Sequence, residues 1–262
     1  MTASQRKIIF TATFLLLFFL TSFGWAADIS DLVSKRVSQD GKTLDLSGLN
    51  IGASGAKQLA KMDLLAGITA LHLQGNNIRA RGMKALAKSP HLAGLKHIDL
   101  WGNLLGDLGL KAISESPYLK QLETLKLWKN EISDDSIELM VVSGNFTHLK
   151  ILMLNDNLIT PAGAAMLAST SLFPQLLTLN LFSNDIGDGG ALAFASSKNF
   201  SSLELLYLGE NKITDQGAVT LIESQYFPRL KVLDLAMNPL GEATMMAAFK
   251  VNHKGKLQII YR

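Results

Sequence analysis

Asparagine returns at every 27th position along most of this 262-residue chain. The series comprises Asn76, Asn103, Asn130, Asn157, Asn184, Asn211 and Asn238. One further step towards the N-terminus reaches Leu49, which takes the same place in the first unit. A fixed period of about 20–50 residues indicates an array of one structural unit in which each unit contacts its neighbours. The chain is therefore predicted to form a solenoid in which equivalent side chains stack in register.

Each unit joins a short extended segment to a helical one. Apolar residues stand five and three positions before the asparagine, as Leu125 and Leu127 do before Asn130. This alternation is typical of a strand with one buried face. The asparagine amide is expected to bond backbone groups of the neighbouring unit, so that the asparagines form a ladder. Six positions after the asparagine most units have glycine, as at Gly82, which is expected to permit a sharp turn before the helix.

The repeated pattern L-x-x-L-x-L-x-x-N-x-L resembles that of the leucine-rich repeat family, and eight such units cover residues 41–249. The 27-residue unit is similar to that of the ribonuclease-inhibitor-like subclass. This resemblance implies an α/β leucine-rich repeat solenoid, a horseshoe with a parallel β-sheet on the concave face and helices on the convex face. It also implies a non-enzymatic protein, because members of the family mostly serve as interaction platforms.

Residues 1–26 have the layout of a secretory signal peptide. Arg6 and Lys7 precede an apolar stretch at residues 8–23, and Ala26 ends a small-residue exit. The alternative is an uncleaved membrane anchor, although a span needs about 20 apolar residues and this stretch is at the short end. Both interpretations predict an exported protein, either periplasmic or secreted, or else anchored. The absence of cysteine departs from the disulfide-closed caps of many animal secreted relatives and favours a bacterial protein.

The two ends of the array need caps, because their outer faces meet water. Residues 27–40 are expected to form the N-terminal cap, with an amphipathic helix at residues 31–37. Residues 250–262 are expected to form the C-terminal cap, in which a ninth strand begins at Leu257. After the helices, apolar residues are expected to plug the core at Leu92, Leu119, Phe146, Phe173, Phe200 and Phe227.

Residues that flank the second leucine of each strand are expected to point away from the core, on the concave face. The first outward column contains Asp45, His72, Asp99, Lys126, Met153, Asn180, Tyr207 and Asp234. The second contains Ser47, Gln74, Trp101, Trp128, Asn155, Phe182, Gly209 and Ala236. Exposed aromatic side chains in one patch commonly mark a binding surface. The predicted partner-binding residues are Trp101, Trp128, Met153, Phe182, Tyr207, His72, Asp99, Lys126, Asn155 and Asn180.

Two features of this face have alternative interpretations. The adjacent rings of Trp101 and Trp128 would stabilise the sheet by packing against each other without any partner. His72 lies between Asp45 and Asp99 in its column, and both carboxylates would favour the protonated imidazole, so that binding would respond to mild acid. The alternative for this row is a set of solvated polar side chains.

The residues argue against an enzyme. Ser47, His72 and Asp99 have the residue types of a hydrolase triad, but they lie on a flat face with no visible oxyanion hole. The sequence has no cysteine, no phosphate-binding glycine loop and no histidines at metal-ligand spacing, so neither a cofactor nor a metal is expected. Asp185 and Asp188 could bind calcium, with turn formation as the favoured alternative. A net charge of +3 argues against nucleic acid as a partner.

The leading hypothesis is an exported, monomeric scaffold that captures a protein or peptide on its concave face. The second hypothesis is an envelope structural or adhesion protein, which would touch the membrane only through its N-terminal segment. A third function, regulation of a small GTPase, is implied remotely by resemblance alone, since some members with this repeat type activate such enzymes. The predicted export signal argues against the third.

Overall fold

A computed structural model of the chain describes residues 29–252 and 257–262. The predicted leader at residues 1–26 lies outside these residues. Among the helices that the structure describes, none is both long enough and apolar enough to cross a membrane.

The strands of the described residues form one parallel sheet in chain order. They are β1 (Thr43–Asp45), β2 (Ala70–His72), β3 (His97–Asp99), β4 (Thr124–Lys126), β5 (Ile151–Met153), β6 (Thr178–Asn180), β7 (Leu205–Tyr207), β8 (Val232–Asp234) and β9 (Gln258–Ile260). From β1 to β8 every residue pairs with the residue 27 positions further on, for example Leu44 with Leu71. The sequence period therefore sets the register of the sheet, and the predicted α/β leucine-rich repeat solenoid is confirmed.

A helix follows each of the first eight strands, and each helix packs on the next. The helices of the described residues are α1 (Ile29–Ser34), α2 (Gly52–Leu59), α3 (Arg79–Ala87), α4 (Gly106–Ser114), α5 (Asp134–Val142), α6 (Pro161–Ser169), α7 (Gly187–Ala195), α8 (Asp215–Ile222) and α9 (Glu242–Asn252). Two 3-10 turns, at Asp63–Gly67 and Pro90–Leu92, lie before β2 and β3. The sheet and the helices thus form two layers around one core.

The core is continuous from unit to unit. Leu71 of β2, Leu73 directly after it, and Met83 and Leu86 of α3 belong to the same core, and all four side chains are fully buried. The apolar plugs predicted after the helices are also buried, from Leu92 to Phe227. Because a single unit would leave these side chains open on two sides, each unit depends on its neighbours for stability.

The asparagines form the predicted ladder between units. Asn76 is fully buried, and its Nδ2 donates to the carbonyl of Leu46 in the preceding unit at 2.7 Å and to the carbonyl of Leu73 in its own unit at 3.0 Å. Its Oδ1 accepts from the backbone N–H of Ile51 at 3.2 Å. One side chain thus satisfies backbone groups of two units that would otherwise be buried without partners.

The predicted role of the recurring glycine is wrong. Gly82 lies inside α3, where a Cβ atom would come within 2.6 Å of Ile78 Cγ2 and 3.0 Å of the Ala56 side chain of α2. The glycine therefore allows neighbouring helices to approach closely and does not make a turn. The turns after the strands instead use positive φ at other positions, such as Gly75 in an early unit and Lys129 in a later one.

The N-terminal helix ends earlier than the sequence predicts. Helix α1 stops at Ser34, because Val37 forms an antiparallel bridge with Leu44 of β1 and Ser38 bonds Thr43. Ile29 and Val33 are buried on the inner side of α1. This segment covers the first edge of the sheet, which would otherwise present unpaired backbone groups.

Candidate functional site

Two tryptophans stack on the concave face. Trp101 follows β3 and Trp128 follows β4, and the backbone N–H of Gly102 bonds the carbonyl of Trp128 at 2.9 Å, which keeps the two positions side by side. The ring centroids lie 4.9 Å apart with 19° between the ring planes. Each tryptophan is still 41% exposed. The rings therefore pack together, as the structural alternative expects, and also present indole surface to solvent.

Carboxylates form hydrogen bonds with both tryptophans, one with an indole N–H and one with a backbone N–H. The Nε1 of Trp128 donates to Asp156 at 3.3 Å. The carboxylate of Asp99 accepts from the backbone N–H of Trp101 at 3.2 Å and pairs with Lys126 at 3.4 Å. Asp99 and Lys126, two predicted partner-binding residues, are thus engaged with each other next to the aromatic pair, and Asp99 is itself buried.

The predicted apolar band is less exposed away from the tryptophans. The strand register places Met153, Asn180 and Tyr207 in one row after Lys126, and all three are half-buried. Phe182 lies so close over Gly209 that a Cβ atom there would clash with the ring, and Phe182 is half-buried too. Asn155 is half-buried at the same level as Phe182. The exposed part of the predicted surface is therefore concentrated at the tryptophan pair.

Apolar exposure continues from the tryptophans towards the loops that follow the strands. Leu104 is 43% exposed and Leu158 is 58% exposed, each directly after a ladder asparagine. A shallow cleft of about 520 Å³ lies in the same loops, with Leu158, Asp156 and Lys212 among its lining residues. The concave patch is thus continuous with one rim of the solenoid.

A third outward column was missed by the sequence analysis. It consists of the first residue of each strand, namely Thr43, Ala70, His97, Thr124, Ile151, Thr178, Leu205, Val232 and Gln258. The strand alternation places these residues on the concave face, two positions before the first column. The same alternation would have revealed them in the sequence. Ile151, Leu205 and Val232 make the later part of this column apolar.

The strand register places His72 between Asp45 and Asp99, as predicted, but both carboxylates are engaged with other groups. Asp45 accepts from the hydroxyl and the backbone N–H of Ser47. These two hydrogen bonds, the hydroxyl first, hold the pKa of Asp45 below its usual value, and the charge of His72 contributes less. Asp99 is engaged by Lys126, and in the described part of the chain neither carboxylate forms an ion pair with His72. Ser47 bonds a carboxylate and not the imidazole, so the residue types of a triad do not form one.

The acidic pair considered for calcium is used within the fold. Asp185 pairs with Lys212 at 2.8 Å. Asp188 accepts from the backbone N–H of Thr214 at 2.8 Å and from its hydroxyl at 2.7 Å. Across residues 29–252 and 257–262, no group of three or more histidine, cysteine or acidic side chains could hold a metal ion.

Asp188 belongs to a second polar ladder that the sequence analysis missed. Asp107 accepts from Ser133 at 2.8 Å and Asp134 accepts from Thr160 at 2.9 Å, so each aspartate holds the N-cap of the next helix. The donors and acceptors again lie one unit apart. The signal was present, because aspartates stand at positions 107, 134, 188 and 215 in the same 27-residue phase.

At the opposite rim, where the strands begin, charges pair across units. Glu123 lies between Lys96 at 2.9 Å and Lys150 at 2.7 Å. Hydrogen bonds from Lys150 and then Lys96 lower the pKa of Glu123 from 4.5 to about 2. These ion pairs form a charged border at this rim.

Comparisons with known proteins agree with this geometry. A family profile described as Leucine Rich repeat matches residues 68–87, 147–168, 174–195 and 201–221. The molecule thus contains leucine-rich repeats and has the fold of a leucine-rich repeat solenoid. No curated protein matches the sequence of the chain.

Solved structures with a similar fold include the crystal structure of an internalin, inlF, from Listeria monocytogenes, with 18% sequence identity and a TM-score of 0.55. That match covers 89% of this chain and 63% of the internalin chain. An octameric complex of Latrophilin 3, Unc5D and FLRT2, the last represented by its leucine-rich repeats, matches with 21% identity and a TM-score of 0.39, over 67% of this chain and 55% of that one. The chain therefore spans less than two thirds of either neighbour, and the likeness to the internalin is one of fold.

Proposed function

We propose that the protein is a non-enzymatic scaffold that captures a protein or peptide on its concave face, with Trp101 and Trp128 as the central contacts. The observation that carries the proposal is that both indoles are 41% exposed although they stack on each other. A large aromatic patch left open on a rigid sheet is more than stacking requires, and exposed patches of this kind mark interaction sites. Tryptophan is also among the residues that contribute most binding energy in interfaces.

The remaining predicted contacts surround this centre. Met153, Phe182 and Tyr207 offer a half-buried apolar floor on the C-terminal side of the pair. His72, Asn155 and Asn180 supply polar contacts at its border, and the Asp99–Lys126 ion pair fixes charges of both signs next to the rings. Such a surface favours a partner with an apolar centre and a polar rim, the usual composition of protein interfaces.

The proposal also covers the subclass of the repeats, the origin of the protein, its oligomeric state and its export. The repeats are proposed to be of the ribonuclease-inhibitor-like subclass, because each 27-residue unit pairs a strand with a full α-helix. The protein is proposed to be bacterial, monomeric and exported through residues 1–26 to the periplasm or the medium. N-terminal sequencing of the protein from its own cells tests the export, with Ala27 as the expected first residue.

An alternative function, an envelope structural or adhesion protein anchored by its N-terminal segment, shares the same binding face. It differs in retaining residues 1–26, so the same sequencing experiment separates the two. Regulation of a small GTPase is a remote alternative, and no observation on the described residues favours it.

The binding proposal is tested by site-specific crosslinking and pull-down. A photo-crosslinking residue at position 104, which lies beside the tryptophans and leaves both in place, is expected to capture a partner. The same residue at position 226 serves as the control, because Tyr226 is 40% exposed and Leu104 is 43% exposed. The double variant Trp101→Ala/Trp128→Ala is expected to lose the captured partner while its circular dichroism spectrum stays unchanged. Equal capture at positions 104 and 226, or retention of the partner by the folded double variant, would contradict the proposal.

A further inference from the structure

Cations lie in register on the outer face of the early helices. Lys57, Lys84 and Lys111 follow one another at intervals of 27 positions on α2, α3 and α4, so they form one row across three helices. Lys61 and Lys88 form a second row one helical turn further on. Arg81 precedes Lys84 by three positions and lies on the same side of its helix. We call this set, together with Leu108, the basic outer face.

The positive charge of this face is confined to these helices. In the first row, the position after Lys111 is Glu138, and the next two are Ala165 and Leu192. In the second row, the position after Lys88 is Glu115. The basic outer face is therefore a patch about three helices wide, and not a property of the repeat as such.

The cations of the patch are largely uncompensated. Within the described residues, Lys57, Lys61, Arg81, Lys84 and Lys88 form no ion pair with a carboxylate, and Lys111 pairs with Glu115 at 3.7 Å. Among the lysines elsewhere in the described residues, Lys42, Lys120, Lys198 and Lys250 also form no ion pair, whereas others are paired across units. Those with a carboxylate of a neighbouring unit within 4.0 Å are Lys96, Lys126, Lys129, Lys150, Lys212 and Lys231. The patch therefore keeps its charge available for a partner outside the chain.

A groove with an apolar floor runs through the patch. It has a volume of about 410 Å³ and lies between α3 and α4, with Ala87 and Ala112 in its floor. Arg81, Lys84 and Lys88 line one wall. Leu108 lines the other and is 70% exposed. Lys111 and Glu115, which pair with each other, also line the groove, so its net charge stays positive. A cationic groove with an apolar floor and a protruding leucine fits a partner that is both anionic and apolar.

We propose that the basic outer face docks on the surface of a bilayer that contains anionic phospholipid. Its cations form a two-dimensional array about 20 Å across, since packed helices lie about 8–10 Å apart. A plane of phosphate headgroups meets all of these charges at once, whereas a single acidic peptide in the groove leaves Lys57 on α2 and Lys61 just after it without a contact. Leu108 is placed to enter the boundary between headgroups and acyl chains. The concave face with its tryptophans lies on the other side of the solenoid and stays open.

The test is vesicle co-sedimentation with the protein as its own cells process it. Mass spectrometry verifies that all variants have the same N-terminus. Vesicles of phosphatidylcholine alone are compared with vesicles that also contain about 30% phosphatidylglycerol. Binding to the neutral vesicles measures any contribution of the apolar stretch at residues 8–23, which all variants share. Stronger binding to the anionic vesicles, weakened as salt is raised, is expected.

Matched variants then locate the contact. Lys84→Gln/Lys88→Gln is expected to lower partitioning onto anionic vesicles about 25-fold, because each lysine at an anionic surface contributes about fivefold. Lys198→Gln/Arg229→Gln removes the same charge from exposed positions of later units. This control is expected to change the partitioning onto anionic vesicles less than about threefold. Circular dichroism verifies that both variants fold.

Three results would overturn the proposal: equal binding to neutral and anionic vesicles, equal losses in the two charge variants, or binding of a poly-glutamate peptide without binding of anionic vesicles. The last would assign the face to an acidic protein. Trp101→Ala/Trp128→Ala is expected to keep its vesicle binding, so this inference and the proposed function can fail separately.

Discussion

The Nδ2 of Asn103 donates a hydrogen bond of 2.8 Å to the backbone carbonyl of Leu73 in the preceding unit. The same amide bonds Leu100 in its own unit, and its Oδ1 accepts from the backbone N–H groups of Asn76 and Ile78. Since Asn103 is fully buried, no water can replace these bonds. The interface between successive units is therefore held by one side chain as well as by apolar packing.

Removing that side chain is expected to be costly. Asn103→Ala leaves several buried backbone groups without partners, and we expect the free energy of unfolding to fall by about 3 kcal/mol. Urea denaturation measures this loss. The control is Gln121→Ala at an exposed position, for which a change within about 0.5 kcal/mol is expected. Comparable effects of the two substitutions would show that the ladder adds no stability.

The glycine inside α3 gives a second test. In Gly82→Ala the new methyl group meets Ile78 at 2.6 Å and the Ala56 side chain at 3.0 Å. Alanine favours a helix by about 1 kcal/mol over glycine, but overpacking costs about 1–3 kcal/mol, so net destabilisation is expected. Gly94→Ala is the matched control, because no atom lies within 4 Å of its Cβ position. Thermal unfolding should show a lower Tm for the first variant only, and an unchanged or raised Tm would refute close helix contact.

The acid dependence of stability should involve Glu123. Its pKa is lowered in the folded protein from 4.5 to about 2 by Lys150 and Lys96. A lowered folded-state pKa stabilises the protein fully above pH 4.5, and this contribution is lost as the pH falls towards 2. Wild type should therefore be more stable than Glu123→Gln at pH 7, with the difference shrinking between pH 4.5 and 2. Denaturation series at several pH values measure the difference, and a constant gap would disprove the assignment.

The tryptophan stack should couple the two side chains energetically. We expect a coupling of about 0.5–1.5 kcal/mol between Trp101 and Trp128, the range found for aromatic pairs. A double-mutant cycle with Trp101→Ala, Trp128→Ala and the double variant measures it by chemical denaturation. Because both rings are partly exposed, each single variant should still fold. Strictly additive effects would show that the stacking adds nothing, and the rings would then be free to serve a partner alone.

The sequence predicts which residues become neighbours in the sheet, but it does not predict which of their side chains are exposed to solvent. Residues 27 positions apart had to become neighbours, which predicted the columns that hold Trp101, Trp128 and Tyr207. Nothing in that spacing distinguished Trp101 from Phe182, whose ring occupies the space that a side chain at position 209 would need. The role of Gly82 was misread for a similar reason, since the distance between two helices is a property of their packing.

By itself, then, the sequence determined the solenoid, the parallel register and the asparagine ladder, because a constant covalent period combined with one repeated unit geometry leaves a single way to stack. The tertiary structure alone decided which aromatic rings reach solvent, how closely neighbouring helices approach at Gly82, and that Lys84 and Lys88 find no carboxylate. These outcomes depend on distances and side-chain volumes between units, which are set when the units pack together and the sheet curves.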